Sequence, residues 1–271
     1  MSKVIAIANQ KGGCAKTTTA VNLAVALTHL GKKVLVIDAD PQGSCTASLG
    51  YAEPDDLKVT LANIMVDIVN DEDIDIGEGI LHHKEKIDLV PANIELSGLE
   101  VSLINVMSRE MVMKAYVDEV KDYYDYVLID CMPSLGMLTI NALVAADAVI
   151  IPVQTSYLPV KGLEQLLSTI SKVRRQLNKK LQVEGILLTM VDMRTVYARD
   201  MIVKVHETYG MNPKVGTFET YIPRSVRAEE TSSEGVSIFE HRPDCKIARA
   251  YQSLAKEVVA HGTEEETRCC G

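Results

Sequence analysis

Short apolar runs rich in Val, Ile and Leu alternate along the chain with longer amphipathic stretches. Such runs are typical of strands that are buried on both faces, and the stretches between them are long enough for helices. The alternation predicts a doubly wound α/β fold, with a mainly parallel sheet and helices on both faces. We predict strands at residues 4–8, 34–37, 87–90, 126–129, 148–152, 184–190 and 215–221.

The boundaries of the folded unit follow from local signals. A helix is predicted at residues 17–30, because Thr residues suit its start and Gly31 follows its end. The acidic segment 71–79 predicts an exposed connection and not a domain linker. We expect a single domain at residues 1–261. Residues 262–271 are acidic and lack apolar periodicity, so we expect a mobile tail.

Composition narrows the classes of function. Hydrophobic residues make up 47% of the chain and aromatic residues only 4%, which indicates an aliphatic core. A formal net charge of -9 excludes nucleic-acid binding through the overall field, so any DNA contact needs a local basic patch. No apolar run approaches the roughly 18 residues of a membrane span, and no charged leader precedes the first strand. We therefore expect a soluble, cytoplasmic protein.

Six cysteines show neither the density nor the spacing of a disulfide framework. Reduced thiols are expected. Cys269 and Cys270 are adjacent, but they lack a second Cys pair or a His cluster for a metal site, so we expect a solvated tail.

The strongest chemical signal is QKGGCAKT at residues 10–17, between a predicted strand and a predicted helix. Phosphate binding needs inward-pointing backbone amides, a helix N-terminus, a Lys for the outer phosphates and a hydroxyl for Mg²⁺. Gly12 and Gly13, Lys16 and Thr17 supply these parts. The segment thus predicts a P-loop, and with it the P-loop NTPase fold.

The loop departs from the standard pattern, since Gln10 and Ala15 replace its two glycines. Ala15 predicts either crowding of the phosphates or a backbone conformation that Ala tolerates poorly. Lys11 near the loop's start matches the deviant pattern K-G-G-x-x-K-T. Residues 9–19, NQKGGCAKTTT, resemble the ParA/MinD superfamily and within it the ParA/Soj partition ATPases.

This resemblance implies an ATP site and a role in trans for one lysine. In the family the first Lys reaches across a nucleotide-sandwiched dimer to the partner's phosphates, which implies that role for Lys11. The nucleotide would be held by the loop and the start of its helix, namely Lys11, Gly12, Gly13, Cys14, Ala15, Lys16, Thr17 and Thr18.

Two further motifs place carboxylates at strand ends. Residues 37–43, IDADPQG, are similar to the family's switch I, although alone such a motif often only caps a strand exit. The resemblance assigns Asp40 to the attacking water and Asp38 to the outer metal shell. Residues 126–130 end in Asp130 as a Walker B strand does, which predicts that Asp130 and Thr17 hold Mg²⁺. In the following CMPS, Met132 replaces a family proline, and we expect its Cys to be packed and not catalytic.

Two later segments resemble those that line the base and the DNA-facing edge in the family. Met190 and Pro223 fall at base-contacting positions, and Arg194 and Arg227 at DNA-contacting positions. The arginines have an alternative role, as ion-pair partners of nearby acids. A basic run at residues 172–180 is either a solvated helix face or an extension of the same patch.

The family implies an ATP-dependent homodimer that hydrolyses ATP slowly unless stimulated. It also implies nonspecific double-stranded DNA and a ParB-type centromere-binding protein as partners, no membrane, and association with the nucleoid in the ATP state. The position of the first strand predicts that no DNA-binding domain precedes it.

Four alternative functions can be set against the partition ATPase by the sequence features that each of them requires. A MinD-like membrane-cycling ATPase needs a basic amphipathic C-terminal helix, whereas this end is acidic. An electron carrier like the nitrogenase iron protein needs suitably spaced cluster cysteines. We expect a ligase or synthetase on this fold to need an additional domain. A non-enzymatic interaction module would leave the paired lysines and aspartates unexplained.

Overall fold

The computed structural model describes residues 2–73, 75–155, 160–212, 214–225, 231 and 234–269. Its centre is a seven-stranded sheet of order β3-β4-β2-β5-β1-β6-β7, in which β3 alone is antiparallel to its neighbour. The fold is the predicted α/β class. The strands are β1 (Lys3–Ile7), β2 (Val34–Ala39), β3 (Leu81–His82), β4 (Ile87–Val90), β5 (Tyr126–Cys131), β6 (Ala148–Gln154) and β7 (Gln182–Thr189).

Helices follow most of these strands. In the described part of the chain they are α1 (Lys16–His29), α2 (Ser44–Ser48), α3 (Leu61–Val69), α4 (Glu95–Ser102), α5 (Val112–Val120), α6 (Met137–Ala145), α7 (Val160–Gln176), α8 (Val196–Val205), α9 (Ile238–His241) and α10 (Lys246–Cys269). The first helix thus confirms its prediction within one residue at each end. The predicted tail begins inside α10, so its boundary is not a helix end, and its mobility stays a prediction.

The sheet is covered on both faces, as its continuous apolar strands require. In β1, Val4 and Ala6 face a core built with α3 to α8. Ile5 and Ile7 face a second core built with α1, α9 and α10, in which Tyr251 is fully buried. Strand alternation therefore divides one apolar sequence between two cores.

One predicted strand, at residues 215–221, was wrong. Thr217 forms only an isolated bridge to Ile186. The amides of Glu219 and Thr220 instead donate to the carboxylate of Glu257 on α10, at 3.0 and 2.9 Å. The remaining backbone bonds between this segment and β7 are isolated and form no continuous ladder, so β7 ends the sheet. The described part of the segment at 71–79 forms exposed turns, as predicted.

The C-terminal part of the chain meets the turn after α2 through two glycines. Gly50 has φ 89° and Gly235 has φ 66°, a region that favours glycine. A Cβ added to Gly235 would lie 2.5 Å from the Cα atom and 2.8 Å from the amide nitrogen of Gly50. The two backbones therefore touch and leave no room for a side chain at Gly235, whereas a Cβ added to Gly50 would make only an ordinary contact, 3.4 Å from the carbonyl oxygen of Gly235.

Replacing Gly235 by Ala is expected to destabilise the fold by roughly 2–4 kcal/mol, since left-handed strain and overpacking add. Urea unfolding measures the effect. Gly31→Ala is the matched control, because Gly31 also has a positive φ (77°) but faces open space, so strain alone should apply. Equal losses of stability in the two variants would contradict the proposed backbone packing.

Candidate functional site

The loop between β1 and α1 lies at the carboxyl edge of the sheet, where parallel sheets bind ligands. Gly12 and Gly13 are exposed, and nothing lies within 4 Å of a Cβ added to either, so the loop borders open space. Lys16 begins α1 and is only 7% exposed. Its Nζ donates to the carbonyl of Lys11 at 3.2 Å, which holds the ammonium across the loop. This geometry fits a cradle for phosphate.

Ala15 adopts a left-handed conformation, with φ 66° and ψ 36°. Of the two predicted consequences of this alanine, the strained backbone is therefore the one observed. The strain costs about 1–2 kcal/mol for a residue with a Cβ. The loop is held nonetheless, because the carbonyl of Cys14 accepts a hydrogen bond from Thr189 Oγ1 at 3.0 Å.

Thr17 and Asp130 meet directly. The hydroxyl Oγ1 of Thr17 donates to Oδ2 of Asp130 at 2.7 Å. Asp130 is fully buried at the end of β5, and within the described residues its Oδ1 has no hydrogen-bond partner. Burial raises the pKa of Asp130 well above its ordinary value, and the neighbouring Asp38 carboxylate adds to the rise. An unpartnered buried carboxylate oxygen beside a threonine hydroxyl is a site that suits a cation.

The donor set fits Mg²⁺ held in part by a nucleotide. Among the described residues there is no group of three or more His, Cys, Asp or Glu side chains that would hold a metal ion alone. Magnesium usually takes one or two carboxylates and completes its shell with water and substrate phosphates. Thr17 and Asp130 supply that smaller set.

Asp38 is occupied by its own chain. It lies beside Asp130 in the β2–β5 register and is fully buried. Its Oδ1 accepts from the amide of Asp40 at 3.1 Å, and its Oδ2 accepts from the amide and hydroxyl of Thr46 at 2.9 and 2.8 Å. Burial raises the pKa of Asp38. These bonds point to a positioning role for Asp38 in fixing the loop that carries Asp40.

Asp40 has a freer carboxylate. It is 9% exposed, and its Oδ1 accepts from the amide of Gln42 at 3.0 Å. It follows β2 at the same edge of the sheet as the P-loop. Sequence reasoning found Asp40 but missed Thr46, because a threonine in a short helix carries no motif of its own.

The end of β5 and the segment that follows it are fixed by packing and by hydrogen bonds, one of them to α4. Cys131 is buried, and burial raises the pKa of its thiol, so it is packed as expected. Thr139 Oγ1 donates to the carbonyl of Ser134 at 2.9 Å. Glu100, which sequence reasoning also missed, accepts from the amide of Leu138 at 3.3 Å and so ties α4 to this segment.

Met190 and Pro223 are brought to neighbouring positions. Val191 pairs with Pro223 in an isolated parallel bridge, and its amide donates to the carbonyl of Ile222 at 3.0 Å. Met190 has φ 53° and is partly exposed next to Thr189, the residue that bonds the P-loop. The two predicted base contacts thus adjoin the nucleotide loop through one strand end.

The two arginines predicted to contact DNA differ in what the structure shows of them. Arg194 forms a bidentate ion pair with Asp192, with donor–acceptor distances of 2.8 and 2.7 Å, and its side chain is 90% exposed. The alternative of local pairing is therefore observed for Arg194. Arg227 lies outside the described residues.

Comparison with known proteins agrees with this geometry. The family model described as an AAA domain matches residues 2–183. The chain is 45% identical over 262 residues to the sporulation initiation inhibitor protein Soj of Bacillus subtilis, covering 97% of this chain and 100% of that protein. It is 40% identical to the chromosome-partitioning ATPase Soj of Treponema pallidum, covering 96% of this chain and 98% of that protein.

A solved structure gives the same fold with nucleotide present. A cobyrinic acid a,c-diamide synthase from Mycobacterium smegmatis, with bound ADP and magnesium, is 36% identical with a TM-score of 0.84. The match covers 97% of this chain and 96% of that one, so a structure bearing a synthase name has no extra domain, contrary to our expectation for that class. The sheet, the P-loop and the similarity to both Soj proteins over nearly the whole chain, at 45% and 40% identity, place this chain in the Soj/ParA family of chromosome-partitioning ATPases.

Proposed function

We propose that this protein binds MgATP, dimerises around it and hydrolyses it slowly until a partner stimulates it. The observation that carries the proposal is the bond between Thr17 and the buried Asp130, with Lys16 held across the adjacent loop. The M. smegmatis structure contains ADP and magnesium, which supports the same ligands here. The reaction is phosphoryl transfer to water.

Each residue has a distinct part in this chemistry. Lys16 and the loop amides stabilise negative charge on the outer phosphates. Thr17 and Asp130 would hold Mg²⁺, which when bound neutralises phosphate charge. Asp40 orients the attacking water, and Lys11 acts on the phosphates of the second protomer. Asp38 fixes the backbone amide of Asp40 and so sets where that carboxylate points.

The cellular role is DNA partition. Two Soj relatives at 45% and 40% identity, one named as a chromosome-partitioning ATPase, support it. We propose that the ATP dimer binds double-stranded DNA without sequence preference and that a ParB-type protein stimulates hydrolysis. The protein would then lie on the nucleoid in its ATP state.

The MinD-like alternative finds little support at the C-terminus. None of the described helices is long and apolar enough to cross a bilayer. In α10 the apolar residues Tyr251, Leu254 and Val258 are buried against the sheet and α1. Surface insertion of this part of the helix would require an exposed apolar face. Pelleting with anionic liposomes and ATP tests this alternative.

Lys16→Ala is expected to abolish ATP-dependent dimerisation, because the variant lacks the ammonium that neutralises the outer phosphates. ATP affinity should fall at least about tenfold. Light scattering after size exclusion measures the dimer, and Lys33→Ala, at an exposed lysine beyond the C-terminal end of α1, is the control. An unaltered ATP-induced dimer in the Lys16 variant would refute the P-loop assignment.

Asp40→Ala should separate binding from turnover. Removal of the water-orienting carboxylate is expected to lower the hydrolysis rate roughly 100-fold or more while the phosphate cradle remains. ATP should therefore trap a long-lived dimer. Phosphate release and light scattering on the same sample decide the matter, with Asp56→Ala as an exposed control. Turnover at the parent rate would make Asp40 structural.

Arg194→Ala is expected to weaken binding of random-sequence DNA by the ATP dimer and to leave dimerisation intact. The log–log salt slope should shrink by about 0.9 for each phosphate that the variant no longer neutralises. Gel shifts across a salt series measure both quantities, and the exposed Arg249 supplies the control variant Arg249→Ala. If the Arg194 variant keeps the parent's affinity, the ion pair with Asp192 is the residue's whole role.

A further inference from the structure

Five basic side chains cluster at the C-terminal end of α7. Within the described residues none of them forms an ion pair, whereas cations elsewhere, such as Lys84 and Arg194, do. The chain as a whole carries a net charge of -9, so this cluster is a positive surface on an acidic protein. We call it the α7 patch, and it consists of Lys172, Arg174, Arg175, Lys179 and Lys180.

Packing of α7 directs these charges outward. Ile170 and Val173 are buried in the core that α7 shares with the sheet and α6. Lys172 and Arg175 lie on the opposite side of the helix and are exposed. The solvent-facing side chains of the patch are therefore available to a ligand.

The turn after the helix is firmly anchored. The Nδ2 atom of Asn178 donates to three carbonyls at the end of α6, at 3.2, 3.1 and 2.6 Å, those of Leu143, Val144 and Ala146. Its Oδ1 accepts from the amide of Lys180 at 3.2 Å. Since this backbone is already fixed, a ligand need not order it, which lowers the entropic cost of binding.

Helix stabilisation accounts for only part of the patch. Arg174 and Arg175 lie in the last turn of α7, where positive charge offsets the negative end of the helix dipole. Lys179 and Lys180 lie beyond the helix and are exposed. Their charges, which have no ion-pair partner among the described residues, need another explanation.

The patch is separate from the edge that carries Arg194. Lys180 precedes β7 and Arg194 follows it, so the strand Gln182–Thr189 lies between them. A strand of this length spans roughly 25 Å. The basic run therefore lies at the amino edge of the sheet and does not extend the predicted DNA surface.

The chemistry of the patch suits phosphate better than lipid. Among the described side chains, the outer face of α7 exposes Glu164, Gln165, Ser168 and Ser171, and the one large exposed apolar group beside them is Leu177, just beyond the helix, at 41% exposure. Insertion at a membrane surface requires an apolar face. Binding to the sugar-phosphate backbone of DNA requires only well-placed cations and polar groups.

We propose that the α7 patch is a second surface for the backbone of duplex DNA, at the opposite edge of the sheet from Arg194. The inference rests on the proposed DNA binding by the ATP dimer and adds a site to it. Each protomer then offers DNA two faces, and neither face depends on base sequence.

The test removes four exposed charges of the patch and leaves the half-buried Arg174. The control removes four exposed lysines elsewhere, so that net charge changes equally. The patch variant is Lys172→Ala, Arg175→Ala, Lys179→Ala and Lys180→Ala, and the control variant is Lys58→Ala, Lys84→Ala, Lys86→Ala and Lys256→Ala.

With ATP and a random-sequence duplex, the patch variant is expected to bind at least about tenfold more weakly than the parent. Its salt slope should shrink by about 2 or more, at about 0.9 per phosphate. The control should stay within about twofold of the parent, and light scattering should show the ATP dimer in all three proteins. If the patch variant unfolds, Lys179→Gln with Lys180→Gln, outside the helix, is measured instead.

Equal affinity and slope in patch and control variants would overturn the inference while leaving DNA partition in place. Binding of the patch to anionic phospholipid vesicles, with unchanged DNA affinity, would overturn it in favour of a membrane surface. A parent protein that binds no duplex in the presence of ATP would overturn both this inference and the proposed function.

Discussion

The buried carboxylate of Asp130 is the constraint on which the site depends. A charge in the interior is costly unless it meets a partner. The parallel register places Asp130 between Ile7 on β1 and Asp38 on β2, so neither neighbouring strand supplies a cation. Thr17 satisfies one oxygen and the other is unpartnered within the described residues. The carboxyl edge of the sheet therefore has a site beside Asp130 that a cation would stabilise.

The neighbouring Asp38 shows the opposite solution to the same problem. Its oxygens take three hydrogen bonds from Thr46 and from the amide of Asp40, so its demand is met inside the chain. The two adjacent buried aspartates therefore differ: Asp38 is hydrogen-bonded to the loop that carries Asp40, whereas one oxygen of Asp130 remains available to a ligand.

Most of the strands and the P-loop could be predicted from the sequence, because the patterns that indicate them lie within short segments of the chain. The apolar runs of β2, β4 and β5 sit between polar segments, and their positions agree with the strands to within two residues. The P-loop has a fixed spacing, which singles out its lysine, threonine and glycines in the sequence; their contacts with nucleotide stay a prediction. The likeness to a family segment also singled out Pro223, which the structure pairs with Val191; its contact with the base stays a prediction.

The features that the sequence mispredicted or did not reveal depend mostly on residues far away along the chain. The segment at 215–221 has the composition of a strand, but Glu257, far along the chain, accepts the amides of Glu219 and Thr220, and the bonds to β7 stay isolated. The two-residue β3 is too short to leave a pattern. Thr46 and Glu100 act through hydrogen bonds with residues in other elements, and no spacing rule reveals such bonds.

The packing of Gly50 against Gly235 joins the loop that carries Asp40 to the C-terminal part of the molecule. Gly50 ends the stretch that begins with Asp40 and passes through Thr46, while Gly235 leads into α9. Since the two backbones touch without side chains between them, no soft group can absorb a displacement. A shift of the Asp40 loop that moved Gly50 toward Gly235 would therefore meet backbone atoms at once, and this contact limits how closely the two segments can approach each other.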